Sequence, residues 1–159
     1  MSSWDECFFD INDAMKKKSK DQSTKVGCTV VGPDNEIRST GCNGFPRGVN
    51  DDLPERQERP LKYEWIEHAE RNAIYNAARV GISLKGCRIF MDWYPCIECA
   101  RAIIQSGIVE IVIDGREFEK KEAQWNERWA DKIKMSKQML DEAGIKVRFA
   151  LMELWDGHI

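Results

Sequence analysis

The sequence lacks any long apolar run. Its apolar stretches are far shorter than the roughly 18 residues that cross a bilayer as a helix, so we expect no membrane partner. The first twenty residues, MSSWDECFFDINDAMKKKSK, also lack the apolar core of a signal peptide and show the spacing of an amphipathic helix. No repeat or low-complexity segment is present. We therefore expect a cytoplasmic protein (in the host cytoplasm, if the source is viral).

Positive charge is not in excess either. The 24 lysines and arginines are outnumbered by 27 aspartates and glutamates, which gives a net charge of −3. A protein that follows a polynucleotide backbone usually has a basic face, so we expect no polynucleotide partner. The one dense basic run covers residues 16–20, and its charge pattern favours a solvated helix end over a phosphate-related role.

The length of 159 residues suits one well-buried domain and is too short for two ordinary ones. We therefore predict a single domain over residues 1–159. Hydrophobic residues make up 42% of the chain and charged residues 32%, which is typical of a soluble globular protein. The six cysteines could form disulfides. However, no export signal is present and two of them have metal-ligand spacing, so a reducing compartment is the better interpretation.

Hydrophobic periodicity predicts helices that alternate with strands. The predicted helices cover residues 3–18, 69 to about 80, 96 to about 106, and a longer segment that contains Trp125, Trp129, Ile133, Met135, Met139 and Leu140. The predicted strands cover residues 25–31, 36–42, 87–93, 108–113 and 145–152, and the first two form an antiparallel hairpin. This order predicts a three-layer α/β domain with a mixed five-stranded sheet.

Residues 43–66 show no clean period and contain several prolines and glycines. A stretch this long without regular structure is usually functional in a compact domain.

Two short motifs point to a metal site: His68-Ala69-Glu70 and Pro95-Cys96-Ile97-Glu98-Cys99. Both are predicted to lie at the starts of helices, where the positive end of the helix dipole favours thiolates. Cys96 and Cys99 are three residues apart, so both sulfurs leave the same helix face. Proline is common where a helix begins.

The two motifs supply one imidazole, two thiolates and a nearby carboxylate. Three protein ligands with one open position are typical of catalytic zinc, whereas structural zinc usually has four protein ligands. A structural site completed by Cys87, Cys42 or Asp92 is the alternative. The signature H-x-E followed by P-C-x-x-C is typical of zinc-dependent nucleobase deaminases. In that chemistry zinc acidifies a water, and Glu70 would accept its proton and return protons to the base and the departing ammonia.

The same segments resemble the cytidine and deoxycytidylate deaminase superfamily, and most closely its deoxycytidylate (dCMP) branch. The resemblance extends to residues 19–27 (SKDQSTKVG), 41–48 (GCNGFPRG) and 103–108 (IIQSGI), and it covers residues 3–113 well. It implies the cytidine-deaminase-like α/β/α fold, with His68, Cys96 and Cys99 as ligands of one Zn²⁺ and Glu70 as the proton shuttle.

The resemblance also implies contacts to a nucleotide and to effectors. Asn43 would bind the sugar or base, and Ser19, Lys20 and Ser23 are candidates for the 5′-phosphate. Related enzymes are commonly homohexamers that dCTP activates and dTTP inhibits, with Mg²⁺ as a candidate companion of the triphosphate. The implied effector segment is Asn43, Gly44, Phe45, Pro46, Arg47 and Gly48. A plain glycine–proline turn without an effector is the alternative interpretation of this segment.

The chain departs from the family pattern at two positions. Cys42 replaces a usual aromatic residue beside the effector segment, and Arg71 replaces a commonly apolar residue after the glutamate. No histidine precedes His68, whereas the second zinc site of some relatives needs one there. We therefore expect one zinc per chain.

Other functions remain open. The substrate could be another cytosine nucleotide or nucleoside, although nucleoside cytidine deaminases usually offer three cysteines to zinc. Enzymes acting on tRNA adenosine need a polynucleotide surface, and the acidic balance argues against one. Riboflavin-pathway deaminases usually carry a reductase domain, for which there is no room. Outside enzymes, a zinc-stabilised interaction module could use a tryptophan surface, with Trp65, Trp125, Trp129 and Trp155 as candidates.

Overall fold

A computed structural model describes residues 1–122 and 127–152, with side chains described outside residues 121–129. The strands are β1 (Gly27–Val31), β2 (Ile37–Cys42), β3 (Arg88–Met91), β4 (Glu110–Asp114) and β5 (Lys146–Ala150). The helices are α1 (Trp4–Lys16), α2 (Lys62–Trp65), α3 (Ala69–Val80), α4 (Ile97–Gln105), α5 (Gly115–Glu122) and α6 (Glu127–Glu142), with a 3₁₀ turn at Pro54–Gln57.

The five strands form one mixed sheet in the order β2-β1-β3-β4-β5. β1 runs antiparallel to both β2 and β3, whereas β3, β4 and β5 are parallel. The structure thus confirms the predicted hairpin and the mixed five-stranded sheet.

The apolar core lies on both faces of the sheet. Successive strand residues point to opposite faces, so Ile89 packs into the cluster beneath α3, α4 and α6, whereas Phe90 packs with Phe8 and Phe9 of α1. Ile89 and Phe90 are completely buried. These two clusters give the three layers that the sequence predicts.

Local sequence signals fix the start of α1 and the end of α3. In α1, Ser3 accepts a hydrogen bond from the amide of Glu6, whose carboxylate accepts from the Ser3 amide, and this capping box satisfies donors that the helix leaves free. α3 ends at Gly81, whose φ of 75° is left-handed, a conformation that glycine adopts without steric cost.

Two regions differ from the sequence expectation. Residues 43–66 contain the 3₁₀ turn, the four-residue α2 and a bridge between Gly44 and Glu67, because elements this short are below the length at which periodicity is visible. Between β4 and β5 the chain forms α5 as well as the predicted long helix. Trp125 and Trp155 lie outside the described residues, as does the side chain of Trp129. Among the helices described, none has the length and hydropathy needed to cross a membrane.

Candidate metal centre and active site

The candidate site lies at one edge of the sheet. Because β1 is antiparallel to β2 and β3, Gly27 at its start pairs with Cys42 at the end of β2, and Cys28 pairs with Met91 at the end of β3. The chain leaves β3 at this edge and enters α4 through Cys96, which caps the helix. α3 begins at the same edge, since Glu67 forms a two-way backbone bridge with Gly44 just after β2.

Three potential metal ligands converge between the starts of α3 and α4. His68 occupies the N-cap of α3, Cys96 that of α4, and Cys99 the first turn of α4. Each sulfur lies 3.5 Å from His68 Nδ1, and the ligand atoms of all three residues lie within 4.8 Å of one another. One nitrogen and two sulfur donors at this spacing fit three corners of a tetrahedral zinc site.

The electrostatics of the cluster favour a thiolate at Cys96 and disfavour one at Cys99, whose pKa is raised by its hydrogen bond to Cys96 and by burial. The hydrogen bond from the Cys99 thiol lowers the pKa of Cys96 to about 3, and contact with His68 acts in the same direction. The pKa of His68 is raised, chiefly by its hydrogen bond with Cys96. Zinc binds the deprotonated thiol, so the protein already stabilises a metal-binding form of Cys96.

Glu70 lies beside these ligands, in the first turn of α3. Its Oε2 is 3.7 Å from the sulfur of Cys99, and only 8% of the residue is exposed. Burial raises the pKa of this carboxyl. A buried carboxylate next to the ligand cluster is placed to exchange a proton with a molecule bound there.

The structure places the three alternative fourth ligands elsewhere. Cys87 precedes β3, at the opposite end of that strand from Cys96. Cys42 lines a cavity together with the predicted effector segment 43–48. Asp92 is ion-paired with Lys16 at 2.9 Å. Within the part of the chain that is described, only His68, Cys96 and Cys99 form a cluster able to hold a metal, which leaves a fourth corner without a protein ligand among those residues.

Supporting residues that sequence reasoning missed fix this cluster. Glu67 Oε1 accepts a hydrogen bond from the His68 amide at 2.9 Å and is ion-paired with Arg71, which gives a role to one departure from the family pattern. The buried hydroxyl of Ser136, on α6, donates to the carbonyl of Pro95 at 2.8 Å. The motifs do not reveal either contact, because each partner is a common residue type and Ser136 is 41 positions away from Pro95.

Three of the predicted substrate contacts, Ser19, Ser23 and Asn43, lie close together. Their polar atoms form hydrogen bonds with other groups of the protein. Asn43 Oδ1 accepts from Ser19 Oγ at 2.7 Å and from the Val26 amide at 2.9 Å. Ser23 donates its hydroxyl to Asp21. Each serine hydroxyl has one proton to donate, so in this arrangement neither serine has a donor left for a phosphate oxygen.

Lys20 lies apart from this inward-facing group. Its side chain is 69% exposed and ion-paired with Asp51. It lines a cavity of about 400 Å³ together with Lys18, the whole of the predicted effector segment 43–48, and Asn72 and Asn76 of α3. Arg47 donates to Asn76 within this cavity. The structure therefore groups the predicted effector residues around one hollow next to Asn43.

Comparison with known proteins agrees with this geometry. Residues 2–114 match the family described as the cytidine and deoxycytidylate deaminase zinc-binding region. The chain is 36% identical over 154 residues to an uncharacterised deaminase in the luxG 3′ region of Aliivibrio fischeri, covering 97% of this chain and 98% of that protein. It is 33% identical over 150 residues to the deoxycytidylate deaminase of Pongo abelii, covering 91% of this chain and 78% of the relative.

A solved structure shares the fold. The dCMP deaminase from the cyanophage S-TIM5, crystallised with dCMP and dUMP, superposes with a TM-score of 0.69 at 24% identity, over 91% of this chain and 95% of that one. From the match over residues 2–114 and the two relatives aligned over 91% and 97% of this chain, we conclude that the chain belongs to the cytidine and deoxycytidylate deaminase family.

Proposed function

We propose that the chain is a zinc-dependent enzyme that converts dCMP and water to dUMP and ammonia. The observation that carries the proposal is the cluster of His68, Cys96 and Cys99 with Glu70 Oε2 at 3.7 Å from the Cys99 sulfur. The identity of 33% to a deoxycytidylate deaminase over 91% of this chain favours dCMP among cytosine compounds.

Metal binding and proton transfer are assigned to different residues. His68, Cys96 and Cys99 would hold zinc, which when bound makes water acidic near neutral pH. Glu70 takes a proton from the attacking water, whose oxygen forms a bond to the ring carbon that carries the exocyclic amine. Glu70 delivers this proton to the ring nitrogen. It then takes the second proton of the added water from the new hydroxyl and delivers it to the amine, so that the carbonyl forms, the carbon–nitrogen bond breaks and ammonia leaves. Burial of Glu70 keeps bulk water from competing for these protons.

Recognition of a nucleotide requires cations or free N–H groups for the phosphate. Lys20 and Lys25 belong to the loop between α1 and β1. These two side chains support a phosphorylated substrate over a nucleoside, and in this arrangement they take the place of the Ser19 and Ser23 hydroxyls as phosphate donors.

We also propose regulation by nucleotides and assembly into a homohexamer. The cavity with Lys18 and Arg47 supplies cations that a dCTP or dTTP effector needs, with Mg²⁺ as a companion of the triphosphate. The exposed Val80 and Ile82 at the end of α3 offer an apolar contact for a homohexamer. All six cysteines are free, which supports the cytoplasm, of the host if the source is viral, as the place of the reaction.

An ammonia-release assay tests the activity. We expect the highest kcat/KM for dCMP among cytidine, deoxycytidine, CMP, dCMP and dCTP, with dTTP lowering the rate. Glu70→Gln should keep the fold and one zinc per chain while lowering kcat by about 10²- to 10⁴-fold. Glu119→Gln, an exposed acid on α5, is the matched control. If Glu70→Gln retains the parent rate, or if no cytosine compound releases ammonia, an interaction module becomes the better interpretation.

A further inference from the structure

A buried ion pair lies next to the predicted nucleotide contacts. Lys62 is 3% exposed and Asp21 is 2% exposed. Lys62 Nζ lies 2.9 and 2.8 Å from the two carboxylate oxygens of Asp21, and 2.6 Å from Ser23 Oγ. The three protons of the ammonium group are therefore matched by three acceptors. A lysine this deeply buried is uncommon unless it is paired.

The carboxylate of Asp21 organises the loop between α1 and β1. It accepts hydrogen bonds from the amides of Ser23 at 2.9 Å and Thr24 at 3.0 Å. Its other oxygen accepts from Asn43 Nδ2 at 3.3 Å. The loop thus surrounds the negative charge of Asp21, which Lys62 neutralises. The phosphate of the proposed substrate would bind at this same loop.

The pair also fixes the amide of Asn43. Asn43 Nδ2 donates to Asp21 and to the carbonyl of Thr24 at 2.8 Å, and Oδ1 accepts from Ser19 and Val26. Both protons and both lone pairs of the side chain are used. The orientation of this amide is therefore set by the loop that Asp21 holds.

A short path connects this network to the metal ligands. Gly44, next to Asn43, exchanges two backbone hydrogen bonds with Glu67, at 3.0 and 2.8 Å. The side chain of Glu67 accepts from the amide of His68 at 2.9 Å. Lys62 lies in the same segment, five residues before Glu67, and its carbonyl accepts from the Ile66 amide. The ion pair thus ties the 19–24 loop and the end of β2 to the chain that carries the first ligand.

We propose that Asp21 and Lys62 are positioning residues for deamination. They touch neither the substrate nor the metal. They hold the 19–24 loop and Asn43 at a fixed distance from His68, so that a nucleotide whose base lies at the metal has its sugar and phosphate against a loop of the right shape and charge. This inference rests on the proposed function, since it needs a phosphorylated cytosine substrate.

The test removes the pair without leaving an unpaired buried charge. Breaking a buried pair by removing one partner is strongly destabilising, so the principal variant is the double change Asp21→Asn with Lys62→Met. A second variant, Asp21→Asn alone, keeps the shape of the side chain and removes only the carboxylate that Lys62 contacts. Both are assayed for zinc content, for the unfolding midpoint and for kinetics with dCMP and with deoxycytidine, which lacks the phosphate.

We expect both variants to keep one zinc per chain. The KM for dCMP should rise by about tenfold with kcat changed by less than about threefold, because positioning of the remote part of the substrate is lost while the reacting groups remain. The KM for deoxycytidine should change much less. The matched control is Asp5→Asn, which breaks an ion pair with Arg148 between α1 and β5 and should leave both KM values unchanged.

The outcomes separate the two proposals. A folded, zinc-loaded double variant with the parent KM for dCMP overturns the positioning role, as does an equal rise in KM for dCMP and deoxycytidine. A parent protein that releases no ammonia from dCMP overturns the proposed function itself, and the positioning role with it.

Discussion

Glu70 Oε2 lies 3.7 Å from the sulfur of Cys99, although the two residues belong to different helices. The contact places the one buried acid of the first turn of α3 against the first turn of α4. In the proposed mechanism, proton exchange and metal binding therefore occur in a single space between the starts of α3 and α4. A change that moves the start of either helix should disrupt both.

Removal of a ligand should release the metal. In Cys99→Ala the cluster keeps only two donors, so zinc content should fall from about one per chain to near zero at nanomolar free zinc, and deamination should be lost. Atomic emission on dialysed protein measures the metal. Cys7→Ser, on α1 and outside the cluster, should retain zinc. A Cys99→Ala protein that keeps a full equivalent of zinc would show that another residue completes the site.

Ser136 should stabilise the loop that presents Cys96. Its hydroxyl is fully buried and donates to the Pro95 carbonyl, so Ser136→Ala leaves a buried acceptor without this partner. Such a loss costs about 1–3 kcal/mol, measurable as a lower denaturant midpoint with an unchanged slope. Ser106→Ala, which removes a local bond within the end of α4, is the comparison. Equal midpoints for the two variants would contradict a special role for Ser136.

The sequence allowed prediction of the metal cluster because spacing and chemistry coincide there. Cys96 and Cys99 are three residues apart at a helix start, and few residue types bind zinc, so His68 was the natural third ligand. β1, β3, β4 and β5 were predictable from their apolar residues, which show the runs or the alternation of strands buried in a sheet. β2 (IRSTGC) has few apolar residues, and its prediction came from the turn residues 32–35 and the hairpin that they indicate.

The polar network around Asp21 and Lys62 could not be predicted from motifs or periodicity. Asp21 and Lys62 are 41 residues apart, and a lysine in a segment without periodicity suggests a solvated side chain. Only tertiary structure shows that α2, a single turn, buries that ammonium. The structure places the predicted contacts Ser19, Ser23 and Asn43 near one another, but their inward hydrogen bonds involve Asp21, to which the sequence reasoning gave no role.

If the cavity beside Asn43 binds the proposed effector, the response should depend on the charge of its lining. Arg47→Ala removes a cation that lines the cavity and bonds to Asn76, so the concentration of dCTP or dTTP giving half of its effect should rise several-fold, as expected when an ion pair to a phosphate is lost. Rates measured at fixed dCMP across an effector titration provide the test. Lys17→Ala, exposed at the end of α1 and outside the cavity lining, should give the parent curve. Identical titration curves for Arg47→Ala and the parent would show that the effector does not bind in this cavity.

Asp92 should make stability depend on pH. Burial raises the pKa of its carboxyl from 3.8 to about 7, even though Lys16 and the amide of Gly27 lower it, and the charge of Glu117 on α5 adds to the rise. Cys28, the other titratable group that faces it, has its own pKa raised by burial. The folded state thus holds the proton of Asp92 more tightly than the unfolded state does.

The sign of the effect follows from that difference. Where the folded pKa is the higher one, the group's contribution to stability is complete below about pH 4 and is lost as the pH rises to about 7. Asp92→Asn carries no such proton and keeps the shape of the side chain. Relative to this variant, the parent should therefore lose stability between pH 5 and pH 8, by an amount on the order of a few kcal/mol. Denaturant unfolding at both pH values measures the difference. A gap between parent and variant that stays constant across this range would mean that Asp92 is already ionised at pH 5, held charged by Lys16.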